Sequence, residues 1–169
     1  RSAYTAVVVR VSLDEDIHVT HAWAATDAGE IVNPDGLHNQ VEGGIIQATS
    51  WTLKEAIHFD GDRALTGGWG DYPILKFSEV PLIEVELLDQ PHLQPLGAGE
   101  TSCAPTVAAI GNAVSRALGM RVTTIPITRE AILAIGDPVA LATNGTVRLA
   151  RGLTSKRNTS PSLTANWTF

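Results

Sequence analysis

The chain has 169 residues, of which 44% are apolar and 18% charged, the make-up expected of a globular protein long enough for one full core. A formal charge of -6, with its arginines scattered, offers no basic patch to a polyanion, so nucleic acid is not expected as a partner. One cysteine allows no internal disulfide, no Cys/His cluster supplies the ligands of a zinc or iron-sulfur site, and no run of about 18 apolar residues is available to span a bilayer.

Tyr4 to Val11 and Ile17 to Thr26 are apolar, β-branched runs separated by Asp14-Glu15-Asp16, which predicts a hairpin with a polar turn. The abrupt start at Arg1-Ser2-Ala3 reads as a piece of something longer rather than a signal peptide. After Asn33-Pro34 the period changes. Leu37, Val41, Ile45, Ala48, Thr52 and Ala56 recur every three or four residues and predict a helix from about Asp35 to Ile57. Gly43-Gly44 works against that helix, because each interior glycine costs about 1 kcal/mol relative to alanine. Two together point to a close approach by another backbone or a ligand.

His58 to Asp62 reads as a strand end with an Asp-Gly turn, and Gly67-Gly68-Trp69-Gly70 as an irregular loop. Ile83 to Leu88 is expected as a strand, followed by a turn at Gln90-Pro91-His92. A second helix is expected from near Pro105, with Val107, Ile110, Val114 and Leu118 as its core stripe and Gly119 as its C-terminal cap. Arg121 to Ile125 is expected as a short strand, and Thr128 as the cap of a last helix over 129–135. These elements predict an α+β fold, helices packed on a mixed sheet, over residues 1–138. Residues 139–169, rich in Ser, Thr and Asn without sustained period, predict a poorly ordered tail. Its Asn-x-Ser/Thr triplets at Asn144, Asn158 and Asn166 are of the frequency that chance produces in such a composition.

The segment most informative about chemistry is Gly97 to Pro105. A Gly-x-Gly turn lets backbone N–H groups approach a ligand, and it stands just before a helix N-terminus. Glu100 closes that turn and is either a base beside a ligand or a solvated acid at a helix start; spacing alone favours the second. Gln40 and Glu42 precede the glycine pair, where an amide could reach a ligand or simply belong to a polar helix face. His18 and His21, three apart in a strand, point to opposite faces unless a bulge intervenes. Cys103 reads as a buried small residue rather than an activated thiolate, since no histidine is near it in sequence. Asp14-Glu15-Asp16 lacks the spacing and glycine of a calcium loop, and neither a P-loop, a Rossmann fingerprint nor a Gly-x-Ser-x-Gly elbow is present.

Three blocks in series resemble the C-terminal portion of the large subunits of molybdenum hydroxylases, the xanthine oxidase and aldehyde oxidoreductase family. They are Val32-Asn33-Pro34 with Gln40-Val41-Glu42-Gly43-Gly44; Asp71-Tyr72-Pro73-Ile74-Leu75 with Pro81 and Glu84-Val85; and Gly97-Ala98-Gly99-Glu100 with Pro105 and Asn112-Ala113. The middle block looks most like the branch of the isoquinoline 1-oxidoreductase beta subunit and membrane-linked aldehyde dehydrogenases. The stretch Thr101-Ser102-Cys103-Ala104 departs from the Pro-rich version of that branch.

The resemblance implies that Glu100 is the base in a hydroxylation of an aldehyde or an N-heterocycle, with water as the oxygen source. It further implies that Gln40, Gly97, Ala98 and Gly99 contact a molybdenum-molybdopterin cofactor, in its cytosine dinucleotide form, with no direct protein ligand to the metal. Electrons would leave through [2Fe-2S] clusters of a small partner subunit, and an upstream part of the large subunit would complete the site, leaving this chain inactive by itself. Two rival readings are a non-catalytic fragment or remnant of such a subunit and a small domain that binds an anion on the Gly-Ala-Gly turn. Neither substrate nor compartment, bacterial cytoplasm or periplasm, is set by these residues.

Overall fold

The computed structural model describes residues 3–14 and 16–135. The expected hairpin forms from β1 (Tyr4–Leu13) and β2 (Ile17–Asp27), paired antiparallel with Thr5 opposite Thr26 and Val9 opposite Ala22. A bulge interrupts the register at Arg10/Val11, so that Val11 faces Val19 while Arg10 faces His21. The bulge overturns the simple alternation of the histidines. His18 stands opposite Ser12 and His21 opposite Arg10, which places both on one face of the sheet.

Helix α1 (Pro34–Leu53) begins on Asn33, whose side chain accepts a hydrogen bond from the Gly36 N–H at 2.9 Å while Pro34 fills the first turn. The helix stops at Leu53, four residues short of the expected Ile57. Its last carbonyls are taken by groups from outside: Lys54 and Glu55 N–H both reach Ser50 O, and Ile127 N–H donates to Thr52 O at 2.6 Å. A two-residue hairpin follows, β3 (Phe59–Asp60) and β4 (Arg63–Ala64), turning at Gly61. After the glycine-rich loop, a 3-10 turn over Phe77–Glu79 leads into β5 (Leu82–Leu87). Strand β5 pairs parallel to β2, with α1 in the crossover that a parallel pair requires. The sheet order β1-β2-β5 is therefore mixed, as expected.

Helix α2 (Cys103–Leu118) ends on Gly119 at φ 67, the left-handed cap that glycine adopts at least cost. Its buried stripe is Cys103, Thr106, Ile110, Val114 and Leu118. Thr106 holds the place expected for Val107, because its hydroxyl is satisfied within the helix by Ser102 O at 2.7 Å and burial costs it no hydrogen bond. Val107 turns instead toward an open groove of about 1030 Å³ that also borders Arg121 and Ile125. The stretch 121–125 forms no strand; Val122 N–H is held by the Ser115 hydroxyl rather than by a ladder. Helix α3 (Arg129–Ile135) starts where expected, with Thr128 Oγ1 accepting from Ala131 N–H.

Both long helices lie on one face of the sheet, α2 over β1 and α1 over β2 and β5, and pack on each other. The core between them joins Val9, Val11, Ala22 and Ala24 of the sheet to Val41 and Ile45 of α1 and Ile110 and Val114 of α2. Each fully buried Ile or Val there contributes about 1.5–3 kcal/mol. The opposite face carries Trp23, whose indole N–H donates to Glu84 at 2.8 Å under the Arg10 guanidinium. The expected tail, 139–169, and its three triplets lie outside the described residues.

Candidate active site

The fold brings the two segments singled out by sequence into contact. Gln40 lies on the exposed side of the second turn of α1, and its amide Nε2 donates to Gly99 O at 2.6 Å. A primary amide keeps a second N–H and an oxygen for another partner. Gly97, Ala98, Gly99 and Glu100 form the turn that precedes α2, with Gly97 O receiving Ala3 N–H at 3.1 Å. Glu100 is exposed, two residues before the helix cap Ser102. Glu42 does not join this site; it faces His38 at 3.7 Å along its own helix.

The glycine pair divides into two roles. At Gly44 a Cβ would stand 2.2 Å from Ser102 Oγ and 3.3 Å from Cys103 Sγ, so this glycine is what lets α1 and the start of α2 touch. At that contact Ser102 Oγ donates to Val41 O at 2.9 Å and Cys103 Sγ reaches Gly44 O at 3.7 Å. At Gly43, by contrast, a Cβ would meet nothing within 4 Å, and the same holds for Gly97 and Gly99. Bare backbone is thus presented to open space on both sides of the Gln40–Gly99 bond.

Cys103 is buried, and burial followed by the nearby negative charge of Glu100 pushes its thiol above the usual range. The expectation of a structural rather than reactive cysteine agrees with this. Elsewhere, Tyr72 of the Asp-Tyr-Pro block donates to Glu55 Oε2 at 2.7 Å, and that bond is the main reason its phenol is raised. Lys54 pairs with Glu79 at 2.7 Å across the end of α1.

Sequence reading missed the residues that tie the Glu100 turn to the sheet. Thr101 Oγ1 lies 2.8 Å from Thr5 Oγ1, which lies 3.0 Å from Thr26 Oγ1. The available signal was polar Thr5 and Thr26 on the sheet face that otherwise carries the apolar core.

Among the described residues no group of three or more His, Cys, Asp or Glu could hold a metal ion; what the turn offers is backbone and a side-chain amide, the partners of an organic ligand. The glycine backbone and the Gln40 amide fit a flat polar group of that kind, which needs close approach and hydrogen bonds rather than protein ligands. The open groove of about 1030 Å³ along α2 is lined by none of these candidate residues.

The described residues thus form a three-stranded mixed sheet backed by two helices, with a Gly-x-Gly-Glu turn tied to a helix glutamine. Residues 1–81 match the family model of the molybdopterin cofactor-binding domain, a stretch that includes Gln40 and the glycine pair and ends before the Glu100 turn. The chain is 40% identical to a nicotinate dehydrogenase chain of Pseudomonas putida over 136 residues, covering 79% of this chain and 12% of that one. It is 31% identical to the isoquinoline 1-oxidoreductase beta subunit of Brevundimonas diminuta, covering 74% of this chain and 16% of that one. The crystal structure of quinoline 2-oxidoreductase from Pseudomonas putida 86 superposes with a TM-score of 0.64 at 32% identity, over 70% of this chain and 16% of that one. This chain therefore belongs to the molybdenum-binding subunits of the xanthine oxidase family, whose members are molybdopterin oxidoreductases, and corresponds to a small part of such a subunit.

Proposed function

We propose that this chain forms one wall of a molybdenum hydroxylase site in which Glu100 is the base and Gln40 with Gly97, Ala98 and Gly99 holds the cofactor. The observation that carries the reading is the Gln40–Gly99 hydrogen bond, which fixes the Glu100 turn against α1 with bare glycine backbone on either side. Held by Gln40 and the Gly97–Gly99 backbone, molybdenum-molybdopterin in its cytosine dinucleotide form would supply the two-electron oxidation by which an oxygen atom from water replaces the hydrogen of a C–H bond.

The chain's own part is to place a carboxylate and to leave room. The Glu100 carboxylate takes up the proton released as the water-derived oxygen becomes the nucleophile toward an electron-poor sp² carbon. Gln40 spends one N–H on Gly99 and offers its remaining amide groups to the polar edge of the cofactor. Gly43, Gly97 and Gly99 keep side chains out of the space that the cofactor and substrate need.

The substrate class is an aldehyde or an N-heterocycle; the names of nicotinate dehydrogenase, isoquinoline 1-oxidoreductase and quinoline 2-oxidoreductase favour the heterocycle. An upstream part of the large chain supplies the other walls, since the curated relatives just named are matched over only 12% and 16% of their length. A small partner subunit with [2Fe-2S] clusters takes the electrons, this chain having a single cysteine to offer. Turnover therefore requires those parts, and the isolated chain is expected to be inactive.

The test is elemental analysis for molybdenum together with pterin fluorescence. The chain is purified from a cofactor-producing host, alone and co-expressed with the upstream part. The reading predicts metal and pterin near one per complex in the co-expressed sample only. A folded, co-purified complex with neither would overturn it.

A further inference from the structure

We infer that a chain of threonine hydroxyls anchored in the sheet, Thr26 to Thr5 to Thr101, is a positioning device that holds the Glu100 backbone in place for proton transfer. The inference rests on the reading of Glu100 as the base.

A hydroxyl has one hydrogen to give, and this fixes the direction of the chain. Thr101 Oγ1 donates to Ala3 O at 3.3 Å, so at 2.8 Å it must accept from Thr5. Thr5 has then spent its proton, so at 3.0 Å it accepts from Thr26, whose side chain is fully buried. Every hydroxyl in the row donates once. Its anchor is rigid for two reasons. Thr5 and Thr26 are direct partners in the antiparallel ladder, and β-branching restricts their side-chain rotation.

The position of this tie is what separates it from ordinary packing. Thr101 follows Glu100 in the chain, so the hydrogen bond fixes the peptide carrying the carboxylate. The other side of the turn is pinned by Ala3 N–H on Gly97 O, its middle by Gln40 on Gly99 O, and its exit by Ser102 on Val41 O. Backbone around Glu100 is therefore held from the sheet and from α1, while the carboxylate itself is exposed and available. General-base catalysis demands such placement, because an error of about 1 Å can cost on the order of 100-fold in rate. Ser102 and Thr106 serve the helix start as well, whereas the hydrogen bonds of the Thr101 hydroxyl among the described residues go to Thr5 and Ala3.

The test uses the complete, cofactor-loaded enzyme and the variants Thr101→Val, Thr101→Ser, Thr5→Val and Glu100→Gln. Thr101→Val removes the hydroxyl at nearly constant shape. The expected result is molybdenum content at the parent level, KM within about 2-fold, and kcat lowered about 10- to 100-fold. Hydrogen-deuterium exchange of the amides at 98–102 should quicken in step. Thr101→Ser, which keeps the hydroxyl, should recover most of the rate and the protection. Thr5→Val removes the donor without touching the turn and should act in the same direction, so the inference stays testable should Thr101→Val fail to fold.

Combining Thr101→Val with Glu100→Gln should cost nothing beyond Glu100→Gln alone, since the tie works only through the carboxylate. Thr101→Val and Thr5→Val at parent kcat with unchanged exchange, while Glu100→Gln lowers kcat by about 10²–10⁴-fold, would overturn the positioning role and leave the base intact. Parent turnover in Glu100→Gln would instead overturn the base, and this inference with it.

Discussion

Two adjacent glycines in one helix should respond to the same substitution with opposite signs. Gly44→Ala places a methyl group 2.2 Å from Ser102 Oγ and 3.3 Å from Cys103 Sγ at a buried helix contact. Ser102 cannot swing aside without giving up its 2.9 Å hydrogen bond to Val41 O, and it is only 1% exposed. Overpacking costs about 1–3 kcal/mol and the disturbed buried bond about 1 kcal/mol more, against a helix-propensity gain of about 1 kcal/mol. The net expectation is a loss of about 2 kcal/mol. Gly43→Ala meets nothing within 4 Å and keeps only the propensity gain, a stabilisation of up to about 1 kcal/mol. In thermal unfolding followed by circular dichroism these values are a fall of about 8 °C for Gly44→Ala and a rise of a few degrees for Gly43→Ala. Ser102→Ala should rescue Gly44→Ala in part, because it removes the clashing oxygen and leaves the Ser102 Cβ at 3.6 Å. Equal losses for the two glycine variants, or strict additivity of Gly44→Ala with Ser102→Ala, would refute the reasoning.

Three further outcomes follow from the titrating groups. Burial works to raise Glu79, yet the hydrogen bonds from Lys54 and from the Lys76 N–H hold its carboxyl below the ordinary 4.5. A depressed acid stabilises the fold above its ordinary pKa and loses that contribution as pH falls through the lowered value. Urea unfolding should thus show Glu79→Gln less stable than the parent by up to about 1 kcal/mol at pH 7, the partly exposed pair being screened, with the gap closing below the ordinary carboxylate range. Tyr72 is raised by its bond to Glu55, so in a Tyr4→Phe background, which leaves it as the sole tyrosine, tyrosinate absorbance should appear above pH 10 and return toward the ordinary value of 10.0 in Glu55→Gln. Cys103, the single cysteine, should react slowly with a thiol reagent at pH 7 in the folded chain and fast in denaturant; burial and Glu100 both disfavour its thiolate.

What can be read from the residues is what local pattern encodes. The β-branched runs, the i, i+4, i+7 stripe of Val41, Ile45 and Ala48, Gly119 and Thr128 are legible because strand, helix and cap preferences act within a few residues. The end of α1 is not, since the groups that take its last carbonyls include Ile127, far along the chain. Val107 reads as core because apolarity is visible in sequence, while the internal hydrogen bond that makes Thr106 cheap to bury is not. The bulge at Arg10/Val11 puts His18 and His21 on one face, which alternation alone does not reveal. Gln40 and Gly97 to Glu100 stand out through their glycines and a family resemblance. Their direct contact, and the row Thr26, Thr5 and Thr101, depend on pairing across the sheet and become visible only with the fold.

In the proposed function, this wall of the site supplies the base. Its most direct measurement is turnover of the complete, cofactor-loaded enzyme carrying Glu100→Gln, with molybdenum and pterin determined on the same sample. The expected result is cofactor at the parent level and kcat lowered by about 10²–10⁴-fold, the contribution of a positioned base. Full cofactor content with turnover near the parent would contradict it.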